Sequence, residues 1–269
     1  MSGALLIIIK SYAIKNKIME KSFEKHFNML LSKLKLGENF AFARFSDGEM
    51  YLLMDRSTTL GNGYYAIDGK KHTGSYHPIN YKNINPNEHG FFYDALKDAF
   101  KHHAENYFVG LSCRCCVGED NFKWQVDLRG GDDDNLTWSN LLINGNFSRF
   151  INEMVPLFNN KKVVFIGNEN LDLLKLPFKV EKDFRVGNNC AINDFDLSDK
   201  IIKWVKENNI KNHLFLFSAA SLSEVLIHKL FVEEKENTYI DVGTGLNLYL
   251  GVDTSRGYLR GTNNKMCIW

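Results

Sequence analysis

Apolar runs with strand character, "FAFARF", "YFVGLS", "KKVVFIG", "FKVEKDF", "HLFLFSA" and "TYIDVG", alternate along the chain with segments of helical periodicity. No other feature restricts the fold as strongly, because strands that alternate with helices build a parallel sheet with helices over both faces. The first helix is expected over 17–36, where Phe23, Phe27, Leu30, Leu31 and Leu34 share one face before "LGEN" breaks the pattern. Further helices are expected near 88–105, 147–158 and 196–208 and over "SLSEVLIHKLF", with a less regular middle from 113 to 137. The fold class is therefore α/β, with a mostly parallel sheet.

A chain of 269 residues with 44% hydrophobic residues can bury a substantial core. It has four prolines, no Ser/Gly-rich linker and no internal repeat, so one domain is expected over 1–269. Residues 56–87, rich in Gly, Asn, Tyr and His, are long for a plain connection and are read as an irregular insertion that covers a site. Lys plus Arg number 33 against 32 Asp plus Glu, so the overall balance of +1 asks for neither nucleic acid nor an acidic membrane. The "ALLIII" run near the start is shorter than the roughly 20 residues of a spanning helix, and reads as a buried strand or a membrane-touching start.

Five cysteines, most of them in "CRCCV", do not make a disulfide framework and point to a reducing cytoplasm. The spacing of Cys113, Cys115 and Cys116 lacks a matching second half for zinc, so these are read as buried or loop thiols. Of the histidines, His72 and His77 in the insertion are kept as donor or acceptor contacts. No G-x-S-x-G elbow is present, which disfavours a serine hydrolase, and "GGDDDN" lacks the elements of a calcium loop.

Ligands of open α/β sheets bind beyond the carboxyl ends of the strands, so the strand-to-helix junctions hold the candidates. In "RFSDGE", Asp47 and Glu49 either place oxygens on one divalent cation or form a helix start, with Asp47 as cap and Glu49 favourable to the dipole. In "TWSNLLINGNFSRF", Asn144, Asn146 and Arg149 surround a helix start and suit a phosphate or sugar, or else a polar turn. In "FSAASLSEV", Ser218 and Ser221 either cap the helix or bind phosphate. "YIDVGTGLN" has the D-x-G-x-G of an S-adenosylmethionine loop, but too little chain follows for a methyltransferase, and Gly243 and Gly245 read better as a tight turn.

The order "RFSDGE", "TWSNLLINGNFSRF", "VVFIGNEN", "VGNNCAIND", "LFLFSAASLSEVL", "YIDVGTGLNLYLG" resembles the GT-D type glycosyltransferases, including bacterial and viral relatives of polysaccharide and glycoprotein synthesis, from about residue 38 to 260. The resemblance implies a Rossmann-like three-layer α/β/α fold and a hexosyltransferase-like activity. It implies transfer from a nucleotide-diphosphate sugar, UDP-linked, to a glycan, glycolipid or glycoprotein acceptor. It also implies Mn²⁺ or Mg²⁺ held by Asp47 and Glu49, with Arg44 steadying these carboxylates or meeting the donor. Asn144 and Arg149 match the phosphate segment, Asn189 and Ala191 the nucleoside segment, and Ser218 and Ser221 a small-residue turn at the donor. In such a site the cation would offset the charge that builds on the departing diphosphate. A base for the acceptor hydroxyl is sought first at Glu119 and Asp120, then at Asp241. Cytoplasmic location, with peripheral contact at the inner face of a membrane, is the expectation for a lipid-linked acceptor. The alternatives are an S-adenosylmethionine-dependent methyltransferase and a noncatalytic nucleotide-sugar or glycan-binding module.

Overall fold

The computed structural model describes residues 21–61, 63–74, 79, 81–252, 256–261 and 266–269. The "ALLIII" run, residues 17–20 of the first expected helix, and His77 lie outside the described residues. Helix α1 (Phe23–Leu36) starts at Ser22, whose hydroxyl accepts from the Lys25 N–H at 3.3 Å, and stops at Gly37, which takes a left-handed φ of 75°. Its expected stripe, Phe23, Phe27, Leu30, Leu31 and Leu34, is buried, at about 2 kcal/mol for each fully buried side chain.

After β1 (Ala41–Arg44) and helix α2 (Asp47–Leu53), the 56–87 segment is more regular than its composition suggests. Strands β2 (Thr58–Gly61), β3 (Tyr64–Ile67), β4 (Lys70–Thr73) and β5 (Lys82–Ile84) form a small antiparallel sheet in the order β4-β3-β2-β5. In it His72 stacks on Tyr65, with ring centroids 4.7 Å apart. Its strands are short and half exposed, so they lack the long apolar runs that identify strands in sequence.

The main sheet comprises β1 with β6 (Tyr107–Leu111), β7 (Leu136–Trp138), β8 (Lys162–Asn168), β9 (Val180–Val186), β10 (His213–Ser218) and β11 (Thr238–Asp241). Its order is β7-β6-β1-β11-β10-β8-β9, and every neighbouring pair is parallel. Strands β1, β6 and β11 are buried at every position, as expected of a sheet covered on both faces. The chain runs outward from β1 through β6 to β7, crosses to β8 on the other half, and returns through β10 to β11 beside β1. The strand order thus reverses between β1 and β11, and the crevice above their carboxyl ends is where a doubly wound sheet takes its ligand. This is the expected Rossmann-like α/β architecture, with the sheet wholly rather than mostly parallel.

The remaining helices are α3 (Gly90–Lys101), α4 (Arg114–Val117), α5 (Glu119–Arg129), α6 (Phe147–Arg149, continued by π-helical Phe150–Met154 and 3-10 Val155–Asn160), α7 (Cys190–Asn193), α8 (Leu197–Glu207), α9 (Leu222–Glu233) and α10 (Asn247–Leu250). The middle expected to be irregular, 113–137, is helical from Arg114 to Arg129 and then enters β7. Helix α5 escaped its pattern because its inner face carries Gln125 and Arg129. Gln125 holds both backbone groups of Ser112, and Arg129 donates to the carbonyls of Phe100 and His102. Among the described residues, no helix is long and apolar enough to cross a membrane.

Candidate functional site

Strand β1 ends at Arg44, and the turn through Phe45 and Ser46 opens helix α2. The cap of that helix is Ser46 rather than Asp47, because Glu49 folds back on it: Oε2 accepts from the Ser46 N–H at 3.3 Å and from the Ser46 hydroxyl at 2.5 Å. The other oxygen, Oε1, accepts from the Ser221 hydroxyl at 2.6 Å and faces Lys82 Nζ at 3.5 Å. Lys82 also donates to Ser221 at 3.0 Å. Burial by itself would raise the Glu49 carboxyl, but the Lys82 charge and the Ser221 and Ser46 hydroxyls hold it at about 2.

Asp47 is exposed whereas Glu49 is buried. Residues two apart on a helix point about 200° away from each other, so this pair does not form the two-carboxylate cation site expected from D-x-E. Glu49 is already neutralised by an ammonium. The donor set therefore does not fit a chelated Mg²⁺ or Mn²⁺, and Lys82 supplies the positive charge at that place.

Behind this trio lie Arg44, Asp241 and Glu224, all buried. Arg44 Nε donates to the Ser139 carbonyl, while its Nη1 has no hydrogen-bond partner. The guanidinium lies so close to Gly243, which has a φ of 46°, that a Cβ there would collide with it. A Cβ at Gly245 would likewise meet the Val242 carbonyl and the Phe150 ring. Both glycines of "DVGTG" are thus filled by the protein's own groups.

Asp241 accepts from the Gly243 N–H at 2.8 Å. Burial raises its carboxyl to about 6 against the pull of Arg44 and that N–H. Glu224 sits in the first turn of α9 with Oε2 buried and without a hydrogen-bond partner. Burial, then the charges of Glu49 and Asp241, push it well above the usual carboxylate range and favour its protonated form. In that form Glu224 adds no charge, and Arg44 and Lys82 stand against Glu49 and Asp241.

Beside the cluster a shallow cleft, open to solvent, is lined by Tyr81, Asn168, Gly187, Ser218, Ala219 and Ala220 among others. Small residues line the cleft where β10 gives way to α9, while Ser221 to Glu224 behind them are buried and the Leu222 and Ser223 N–H groups already donate to the Ala219 and Ala220 carbonyls. Ala220 has a φ of 46°, unusual for a residue with a Cβ. Neither expected serine caps α9. Ser218 donates to the Gly243 carbonyl at 2.8 Å, Ser221 stands at the N-cap position but turns its hydroxyl to Glu49, and Ser223 accepts from the N–H of Ala219, before the helix, at 3.0 Å.

The other expected site residues divide. Asn189, with a φ of 53°, donates its N–H to the Tyr81 carbonyl at 3.1 Å and accepts from the Asn83 N–H at 2.8 Å, so it brackets Lys82 and positions β5. Its neighbour Cys190 lines the cleft, and Ala191 is buried. Asn144 opens a 3-10 turn with a φ of 51°. Asn146 is buried and donates to the Leu141 carbonyl at 3.1 Å. Arg149 is turned to α1, in a two-pronged pair with Glu153 at 2.6 and 2.7 Å and bonded to Asn28 at 2.7 Å. Its guanidinium is used by those partners and not by the cluster. Glu119 and Asp120 are exposed in the first turn of α5, where Glu119 pairs with Arg114 and Lys123, so neither belongs to the buried cluster.

Lys82 and Glu224 were not anticipated. Each left a trace in the sequence: a lysine two residues before the buried Ile84 in "YKNI", and a carboxylate opening the otherwise apolar "VLIHKLF" run.

No family model matches the chain, and no curated protein matches it. It is similar to solved structures of one kind. One, described as the highly conserved domain of unknown function 1792 with a distinct glycosyltransferase fold, is 16% identical with a TM-score of 0.48, over 79% of this chain and 75% of that one. Another, described as a new glycosyltransferase of that domain type from Streptococcus sanguinis, is 15% identical with a TM-score of 0.48, over 81% of this chain and 79% of that one.

Proposed function

We propose that the protein is a glycosyltransferase that takes a sugar from a nucleotide-diphosphate donor, of which a UDP-sugar is the first to test, and passes it to a glycan, glycolipid or glycoprotein acceptor. The observation that carries this reading is the buried Glu49–Ser221–Lys82 trio, in which Lys82 and Ser221 directly follow the cleft-lining residues Tyr81 and Ala220. The nucleoside occupies the cleft between Tyr81 and the small residues of the β10 turn. Its diphosphate lies at the β10 turn and is drawn toward the Lys82 ammonium.

When the glycosidic bond to the donor breaks, the diphosphate leaves with extra negative charge on its oxygens, and Lys82 offsets it. Ionised Glu49, fixed by two hydroxyls, holds that ammonium and is itself too weak a base to take a proton at neutral pH. Asp241, titrating near 6, is the proposed acceptor of the proton released by the attacking hydroxyl.

The test is thermal stability against a panel of nucleoside diphosphates and nucleotide sugars, each with Mn²⁺ and with EDTA. A stabilisation by one nucleoside diphosphate that persists in EDTA and disappears in Lys82→Met is the expected result. A strict requirement for Mn²⁺ would return Glu49 to the role of cation ligand. A shift with S-adenosylmethionine alone would replace the glycosyltransferase reading by a methyltransferase, and donor binding without transfer or donor hydrolysis would make the protein a binding module.

A further inference from the structure

Four of the five cysteines, three of them in "CRCC" and the fourth distant in sequence, come together at the carboxyl end of β6. Cys113 Sγ lies 3.0 Å from Cys115 Sγ and 3.3 Å from Cys116 Sγ, and all three sulfurs fall within 4.8 Å of one another. Cys267 closes on the same group, its thiol within hydrogen-bond reach of both Cys113 and Cys116. None of the four is in a disulfide. The second half that the C-x-C-C spacing lacks is therefore supplied by the fold, from a residue near the other end of the chain.

The position of Cys267 is fixed independently of the sulfurs. Two residues on, the Trp269 ring packs edge-on against Phe122 and Trp138, with centroids at 5.2 and 5.0 Å. Lys21 Nζ sits 4.4 Å from the Trp269 ring centroid, and the indole N–H donates to Asp132 at 3.2 Å. Anchored so, the segment presents Cys267 to the cluster.

From these contacts we propose that Cys113, Cys115, Cys116 and Cys267 bind one Zn²⁺ in a closed, tetrahedral, structural site. Soft thiolates select zinc over the hard cations, and four protein ligands leave no open position for catalysis. Zn–S bonds of about 2.3 Å in a tetrahedron put the sulfurs about 3.8 Å apart, so Cys115 and Cys116 each need to move from Cys113 by less than an ångström, while Cys267, outside the group of three that lies within 4.8 Å, adjusts to complete the tetrahedron. Each ligating thiol releases its proton to solvent as its sulfur bonds to the metal. The Asn140 side-chain N–H, 3.8 Å from Cys116 Sγ, is placed to support a thiolate from outside the ligand set. Bound zinc fastens the Cys267–Trp269 end to the loop after β6. It also braces the neighbouring stretch of Ser139, whose carbonyl holds Arg44. The site does not depend on the glycosyltransferase reading.

The experiment is elemental analysis of the purified full chain, on the wild type, Cys267→Ser and Cys190→Ser, the last altering the cysteine outside the cluster. One zinc per chain in the wild type and Cys190→Ser, absent or sharply reduced in Cys267→Ser, is the expected result. Should Cys267→Ser not fold, exchange of Co²⁺ into the wild type answers the same question, and the absorption of a tetrahedral tetrathiolate cobalt site is expected. A metal-free, folded protein with all its thiols reactive, a disulfide within the cluster, or iron with the colour of a cluster would overturn the assignment.

Discussion

The Ser221 hydroxyl lies 2.6 Å from Glu49 Oε1 and joins two strand-to-helix turns that are 172 residues apart in the chain. The same hydroxyl accepts from Lys82, so one oxygen orders a carboxylate and an ammonium at once. In Ser221→Ala, Glu49 loses a hydrogen bond of the charge-assisted kind, and a destabilisation of about 2 kcal/mol is expected. Chemical denaturation of the two proteins at neutral pH measures it. An unchanged midpoint and slope would mean that the trio contributes nothing to the fold.

Lys82 and Glu49 are both buried, and removal of either leaves the other charge unpaired. Lys82→Met is expected to cost about 3 to 5 kcal/mol. The double variant Glu49→Gln with Lys82→Met recovers most of that stability, because no buried charge remains, yet fails to bind a nucleoside diphosphate. A cycle of the single and double variants, followed by denaturation and by ligand-induced stabilisation, separates the two effects. Donor binding that survived in the double variant would remove Lys82 from the site.

The Glu49 carboxyl titrates at about 2 in the folded protein against an ordinary value of 4.5. A depressed carboxyl adds stability that is fully present above the unfolded value and is lost as pH falls through the folded one. Between pH 4.5 and 2 the wild type should therefore lose about 3 kcal/mol that the double variant, lacking the carboxylate, does not lose. The two stability curves, compared over that window, give the result. Parallel curves would show that Glu49 is not held ionised by its partners.

How much of this was legible in the sequence depended on which residues do the burying. The strands "FAFAR", "VVFIG" and "LFLFS" are apolar on both faces because the sheet is covered on both, so alternation was enough to give the architecture. Helix α5 was hidden because Gln125 and Arg129 share its inner face with Phe122, so no apolar stripe marks it. At the site, Asp47 and Glu49 were found as a motif, but their divergence on α2 and the lysine between Glu49 and Ser221 required three dimensions. Lys82 arrives from a strand of the insertion, and nothing local in "NYKNI" links it to a carboxylate earlier in the chain. Arg149 was chosen for its position before a helix, where Glu153, one turn on, was the nearer partner.

Asn189 holds the residues on either side of Lys82, through its N–H to the Tyr81 carbonyl and its side chain to the Asn83 N–H. Asn189→Ala loses the side-chain bond and puts a less tolerant residue at a φ of 53°, for about 1 to 2 kcal/mol. The change also loosens β5, so the affinity for a nucleoside diphosphate should fall several-fold although Asn189 itself need not touch the ligand. Asn189→Gly restores the backbone freedom but not the hydrogen bond, and is expected to recover stability only in part. Unaltered affinity in both variants would mean that Lys82 is held in place without this bracket.

Burial raises the Asp241 carboxyl to about 6. A base must be deprotonated to act, so the rate of transfer under kcat/KM conditions should rise about tenfold per pH unit below 6 and level above it. Asp241→Asn should lower that rate by about 10²- to 10⁴-fold and remove the rise, while donor-induced stabilisation stays. Stability moves in the opposite sense. A carboxyl raised by burial binds its proton more tightly in the folded chain, so between pH 3.8 and 6 the wild type loses stability relative to the Asn variant as pH rises. A group that only shaped the turn at Gly243 would give the stability difference without the change in the pH–rate profile, so the two measurements together decide whether Asp241 takes the proton.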